Sequence, residues 1–208
     1  MENNQIELSF LSIFTLLSFF IFLLISRYSY KLKKGILLDQ DFSKPQAFHQ
    51  SAISRSGGLA GVISLNIFFV FYYLIYSNFF FEYFIICNLM FLIGFLDDIR
   101  TKISPSKRLV LMIIFLLFSI QFLPIRISNI DIPILSDFMN QKLFSSIFIL
   151  LCFLFIINGA NLIDGFNGLL AIHLIIINST YAYINIHAGH TAFSVFIIGQ
   201  IIILFSFI

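Results

Sequence analysis

Seven long apolar runs divide this chain, at about residues 7–26, 57–77, 79–96, 108–125, 143–157, 169–186 and 190–208. They restrict the fold more than any other feature. A hydrocarbon layer of about 30 Å is crossed by roughly 20 apolar residues in helical form. A barrel strand needs only roughly 10 residues of alternating polarity. The runs are of helix length and do not alternate, although the third and fifth are short and the third carries Glu82 near its boundary. The expected fold is therefore all-α, a polytopic transmembrane helical bundle with about seven spans, residues 1–208 forming one membrane domain. Composition agrees, because 60% hydrophobic and 11% charged residues exceed what the core of a soluble domain requires.

Charge supplies an orientation. Ten of the twelve basic residues fall between runs one and two (Arg27, Lys31, Lys33, Lys34, Lys44, Arg55) or between runs three and four (Arg100, Lys102, Lys107, Arg108). Alternating spans put both segments on one face, which the positive-inside rule makes cytoplasmic. Only Arg126 and Lys142 fall opposite. The opening "MENNQIE" has no basic residue and so lacks the n-region of a cleavable signal peptide. The first run is expected to be a retained helix with its N-terminus outside.

With the positive charge assigned to topology, the net +2 does not indicate a nucleic-acid partner, and no compact basic domain exists to bind one. Cys87 and Cys152 lie inside apolar runs without partners at metal or redox spacing, so they read as core filler. His173, His187 and His190 also read as ordinary positions, one within a span and two on the opposite face.

Three polar regions, about 27–56, 97–107 and 158–168, are expected on the cytoplasmic face. The second opens with Asp97 and Asp98 in "GFLDDIR". They could mark where a helix leaves the lipid. However, acids contribute little to topology, the C-terminal end of a helix disfavours anions, and adjacent carboxylates repel. A hard divalent cation shared with substrate phosphates relieves that arrangement; Lys102, Lys107 and Arg108 are the alternative source of positive charge. The third region, "NGANLIDGFNGL", spaces Asn158, Asn161 and Asp164 three apart, along one face of a helical turn. Gly159, Gly165 and Gly168 permit tight turns and close approach of backbone to a ligand. A capped break between spans also accounts for Asn and Gly there, without requiring the spacing. In the first region His49 and Arg55 stand in "KPQAFHQSAISRSGG", where a loop histidine and a topological anchor are the plain readings.

Taken together, "KPQAFH…R.GG", "GFLDD" and "NGANLIDGFNGL" resemble the polyprenyl-phosphate N-acetylhexosamine-1-phosphate transferases of the glycosyltransferase 4 family. The motifs cover about residues 41–170 and the spans the whole chain. The pattern N-x-x-N-x-x-D-G-x-x-G-L is long, and hydropathy does not account for it. Asn167 stands where many members carry a second aspartate and is similar to the branch that initiates O-antigen or other surface polysaccharides. Ser54 departs from the proline common before the arginine position.

The resemblance implies transfer of an N-acetylhexosamine 1-phosphate from a UDP-N-acetylhexosamine to undecaprenyl phosphate, with release of UMP, at a bacterial inner membrane. It implies Mg²⁺, or Mn²⁺ in its place, held by Asp97, Asp98 and Asp164, which are also the expected catalytic residues. His49, Arg55, Asn158, Asn161 and Asn167 are the expected substrate-binding residues. Besides the two substrates the expected partner is membrane lipid, with a homodimer left open.

Two other readings compete. A secondary transporter would place its acids near the bilayer midplane, whereas Asp97, Asp98 and Asp164 fall at span ends. A noncatalytic or fragmentary family member keeps the spans but makes the spacing accidental. Members of the family usually continue through further spans and motifs, whereas "GQIIILFSFI" stops inside an apolar run. The expectation is that these 208 residues are the N-terminal part of a longer transferase, with little activity by themselves.

Overall fold

A computed structural model of the chain describes residues 2–31, 38–39, 53–54, 56–98, 104–123, 125, 127, 130, 132–163 and 168–208. The helices are α1 (Glu2–Lys31), α2 (Gly57–Tyr76), α3 (Phe81–Asp98), α4 (Pro105–Phe122), α5 (Pro133–Met139), α6 (Lys142–Ile163), α7 (Leu169–His187) and α8 (Thr191–Phe207). Among the described residues, five helices are long and apolar enough to cross a membrane; the apolar stretches Phe81–Leu96 and Thr191–Phe207 are shorter. Seven apolar helices thus lie where the seven runs placed them, and α5 is an additional short helix. The only β structure among the described residues is one antiparallel pair, β1 (Leu38–Asp39) and β2 (Ile53–Ser54), with Leu38 opposite Ser54.

Several helix limits depart from the apolar limits for local reasons. α1 runs 30 residues, about 45 Å at 1.5 Å per residue, well beyond the hydrocarbon thickness. Neither flank contains Gly or Pro, so the backbone ladder continues into the polar ends. α4 begins at Pro105, three residues before the apolar run, because Ser104 caps it and Pro105 occupies its first turn. It ends at Phe122, consistent with Pro124 disfavouring helical backbone at Leu123. α6 continues six residues beyond the expected limit, to Ile163.

The chain forms two compact units, Met1–Phe79 with Ile163–Ile208, and Phe80–Leu162. In the first, α8 packs against α1, α2 and α7. Lipid is as apolar as leucine, so helices associate there through close packing and interhelical hydrogen bonds rather than through water exclusion. Both are present. The buried Phe68 ring lies 4.9 Å from Phe14, 5.9 Å from Tyr72 and 6.0 Å from Phe196, centroid to centroid. Gly199 on α8 makes this approach feasible, because a Cβ there would overlap the Phe68 ring. The Tyr72 hydroxyl donates to the Ala192 carbonyl at 3.0 Å, joining α2 to the first turn of α8. In the second unit α3 packs on α4. Ile93, Met112, Leu116 and Ile149 are buried, while Leu92, Ile114, Leu143 and Phe155 are exposed, as lipid-facing side chains are.

Candidate active site

Asp97 and Asp98 are the last two residues of α3. One turn earlier Phe91 and Phe95 stack at 5.2 Å, and the buried Ile93 fixes which side of the helix faces protein. The final turn contains no basic residue. Its last carbonyls have no intrahelical partner, and the helix dipole is negative there. Two carboxylates at this position are therefore opposed by their own helix.

The start of α4 has the opposite mismatch. Ser104, extended at φ −63° and ψ 148°, caps it by accepting from the Lys107 backbone N–H at 3.4 Å. The Arg108 N–H donates to the Ser104 carbonyl at 3.1 Å. The first turn carries Lys107 and Arg108 but no acid, although a helix N-terminus favours negative charge. Acids end one helix and bases begin the next, and neither arrangement stabilises its helix.

The asparagine motif divides between an end and a start. Asn158 and Asn161 both lie in α6, one turn apart. Asn158 is half-buried, and its Nδ2 donates to the Leu154 carbonyl at 2.7 Å, one turn back in the same helix. Gly159 is helical too, with nothing within 4 Å of a Cβ built on it, so the tight turn expected there does not form. A glycine in a helix costs about 1 kcal/mol relative to alanine, and the hydrogen-bond ladder of the longer helix carries through it. Gly168 does serve a turn. It precedes α7 at φ 77°, a left-handed conformation that glycine adopts without the steric cost of a Cβ, and its carbonyl accepts from the Ile172 N–H at 2.9 Å.

The first polar region holds an arrangement that the sequence did not disclose. The hydroxyls of Ser29, Ser54 and Ser56 form a chain, Ser29 to Ser54 at 2.7 Å and Ser54 to Ser56 at 2.6 Å. Ser29 also lies 2.6 Å from the Ser26 carbonyl, to which it donates, and the Ser56 N–H donates to Ser54 Oγ at 3.2 Å. Ser54 thereby ties the end of α1 to the start of α2, a function a proline at this position has no hydroxyl to perform. A cavity of about 380 Å³ lies alongside, lined in part by Ser26, Ser54, Ser56, Phe22 and Phe207.

The other expected site residues are less fully placed. His49, Arg55, Asp164 and Asn167 lie outside the described residues, and Asp97, Asp98 and Asn161 are described in backbone only. Among the described residues no group of three or more His, Cys, Asp or Glu could hold a metal. The three aspartates expected to hold one contribute no described side chain.

Residues 80–208 match glycosyl transferase family 4. The phospho-N-acetylmuramoyl-pentapeptide-transferases of two Clostridium botulinum strains, Eklund 17B (type B) and Alaska E43 (type E3), are each 36% identical to the chain over 117 residues. That alignment covers 52% of this chain and 36% of each relative, so the shared region spans about a third of the relatives' length. No solved structure matches. The family match takes in α3 to α8 together with the acidic helix end and the whole asparagine motif, more than half of the sequence, and the chain belongs to glycosyl transferase family 4.

Proposed function

We propose that this chain carries catalytic segments of a transferase that moves an N-acetylhexosamine 1-phosphate from a UDP-sugar to undecaprenyl phosphate, on the cytoplasmic face of a bacterial inner membrane. The observation that carries the reading is the motif from Asn158 to Gly168, which begins on the last turns of α6 and ends at Gly168, immediately before α7. It is joined by the paired acids on the last turn of α3. With alternating spans, α3 and α6 end on the same face, and the basic segments make that face cytoplasmic. One substrate is a lipid and the other is water-soluble, so helix ends at the membrane surface are where the two can be held together.

In the reaction an oxygen of the lipid phosphate attacks the sugar-linked phosphorus of the UDP-sugar. A new P–O bond forms, the bond from that phosphorus to the bridging oxygen breaks, and UMP leaves with the electron pair. Little covalent assistance is needed, and positioning with charge neutralisation carries most of the catalysis. The carboxylates of Asp97, Asp98 and Asp164 are hard oxygen donors and fit Mg²⁺ or Mn²⁺ by donor chemistry. Such an ion supplies charge neutralisation on the phosphoryl oxygens. Within the chain, one of Asp97 and Asp98 accepts the lipid-phosphate proton. Asn158, Asn161 and Asn167 orient the nucleotide sugar, while His49 and Arg55 contact phosphate.

The donor has a second reading. The names of the Clostridium botulinum relatives favour a phospho-N-acetylmuramoyl-pentapeptide donor, whereas Asn167 favours a simple N-acetylhexosamine for O-antigen or a similar polymer. Both donors, radiolabelled, should be assayed for transfer into lipid extracts of membranes expressing the full reading frame. Asp97→Asn, Asp98→Asn and Asp164→Asn should each reduce transfer by about 10², the scale of losing one key electrostatic group, and chelation should abolish it. Near-normal transfer by all three variants at unchanged expression overturns the assignment.

A further inference from the structure

The segment joining α4 to α6 contains a helix that no catalytic step uses. α5 covers seven residues, Pro133–Met139, about 10 Å of helix, and Ile132 before it is extended. At 100° per residue, Leu135, Phe138 and Met139 fall within one arc, with the extended Ile132 just before the helix, while Pro133, Ser136 and Asp137 fall within the opposite one. This side is partly open: Phe138 is 47% exposed and Ile132, just before the helix, 57%, while Leu135 and Met139 are half-buried.

What borders that arc is visible in the packing. Only Asn140 and Gln141 separate α5 from α6, so the two helix ends lie at most about 11 Å apart. α6 is long and apolar enough to cross the membrane from Lys142 onward. The Phe138 ring lies 5.3 Å from that of Phe144, and Phe144 lies 6.2 Å from Phe148, nearly parallel at 18°. These rings continue the apolar arc of α5 onto α6, whose Leu143 and Phe155 are each 75% exposed, the surface a span presents to lipid.

We propose that α5 lies in the plane of the membrane at the start of α6, with Ile132 and Phe138 in the boundary between headgroups and acyl chains and Asp137 in water. A helix this short is a weak anchor in isolation. It holds here because the chain delivers it to the surface, two residues before the membrane-spanning α6 begins.

The test uses the full-length protein in phosphatidylglycerol–phosphatidylethanolamine vesicles, with Cys87 and Cys152 replaced by Ser. An environment-sensitive fluorophore is attached to a single cysteine introduced by Phe138→Cys or, separately, by Asp137→Cys. The probe at 138 should report a depth of roughly 5–10 Å below the headgroups, with strong quenching by acyl-chain nitroxide lipid and weak quenching by iodide. The probe at 137 should show the reverse ranking. Equal iodide quenching at both positions means that α5 stands in water and overturns the proposal. Protection of the 138 probe from both quenchers means that protein covers this face, either a second copy or another part of the chain, and overturns it equally.

Discussion

Replacing Gly199 with alanine sets two effects of known sign against each other. Alanine in a helix interior is favoured over glycine by about 1 kcal/mol, so propensity alone predicts a more stable protein. Packing predicts the opposite. The new Cβ would overlap Cζ, Cε1 and Cε2 of Phe68, one whole edge of the ring. That ring is fully buried and hemmed in by Phe10, Phe14, Tyr72 and Phe196, so it cannot swing clear without displacing another aromatic. Forcing one methyl group into a filled core costs about 1–3 kcal/mol. With three ring atoms involved the upper part of that range applies, leaving a net loss of about 1–2 kcal/mol after the propensity gain. Gly94 on α3 is the control, since nothing lies within 4 Å of a Cβ placed there; Gly94→Ala should stabilise by up to about 1 kcal/mol. Unfolding in detergent micelles of increasing SDS fraction measures both variants. Adding Phe68→Leu to Gly199→Ala should recover part of the loss, and the coupling between the two sites isolates the contact. If Gly199→Ala is as stable as the parent, or its penalty persists unchanged when the Phe68 ring is removed, the packing argument is wrong.

Two further substitutions probe local features. Tyr72→Phe removes the hydroxyl that donates to the Ala192 carbonyl at 3.0 Å; it should lower stability in the same SDS titration by about 0.6 kcal/mol, typical of interhelical hydrogen bonds in a bilayer protein, and a gain would refute the bond's contribution. Gly168→Ala places a Cβ at φ 77° where space is open, so the cost is backbone strain alone, about 1–2 kcal/mol. Gly168→Asn should cost less because Asn tolerates the left-handed region, and equal losses for the two variants would count against this account.

Hydropathy located the spans well because lipid imposes it, but it reports where lipid ends rather than where a helix ends. α4 shows the difference: Ser104 and Pro105 start it and Pro124 coincides with its stop, all legible by turn chemistry and none by apolar content. At Gly159 a local preference for turns gave way to the hydrogen-bond ladder of α6, whereas Gly168 took the positive φ that only the chain's path can demand. The Ser29–Ser54 contact was not legible because it joins positions 25 apart with no periodic pattern between them. For the candidate site, the sequence identified residue types and the structure adds two helix ends whose charges oppose their dipoles. The positions of His49, Arg55, Asp164 and Asn167 rest on the motifs alone.

The partnership of Phe68 with Gly199 also sets a clock on biosynthesis. Phe68 and Tyr72 enter the membrane with α2, but the α8 residues that receive them, Gly199 and Ala192, are encoded more than a hundred positions later. At roughly 5–20 residues per second of synthesis, α1 and α2 wait on the order of ten seconds without their partner. Lipid solvates the waiting rings, but the Tyr72–Ala192 hydrogen bond and the close fit of Phe68 on Gly199 form only when α8 arrives. During that interval the half-built unit presents to lipid the aromatic face that α8 later covers. A helper that shields this face during insertion would have to act between the emergence of the second helix and that of the eighth.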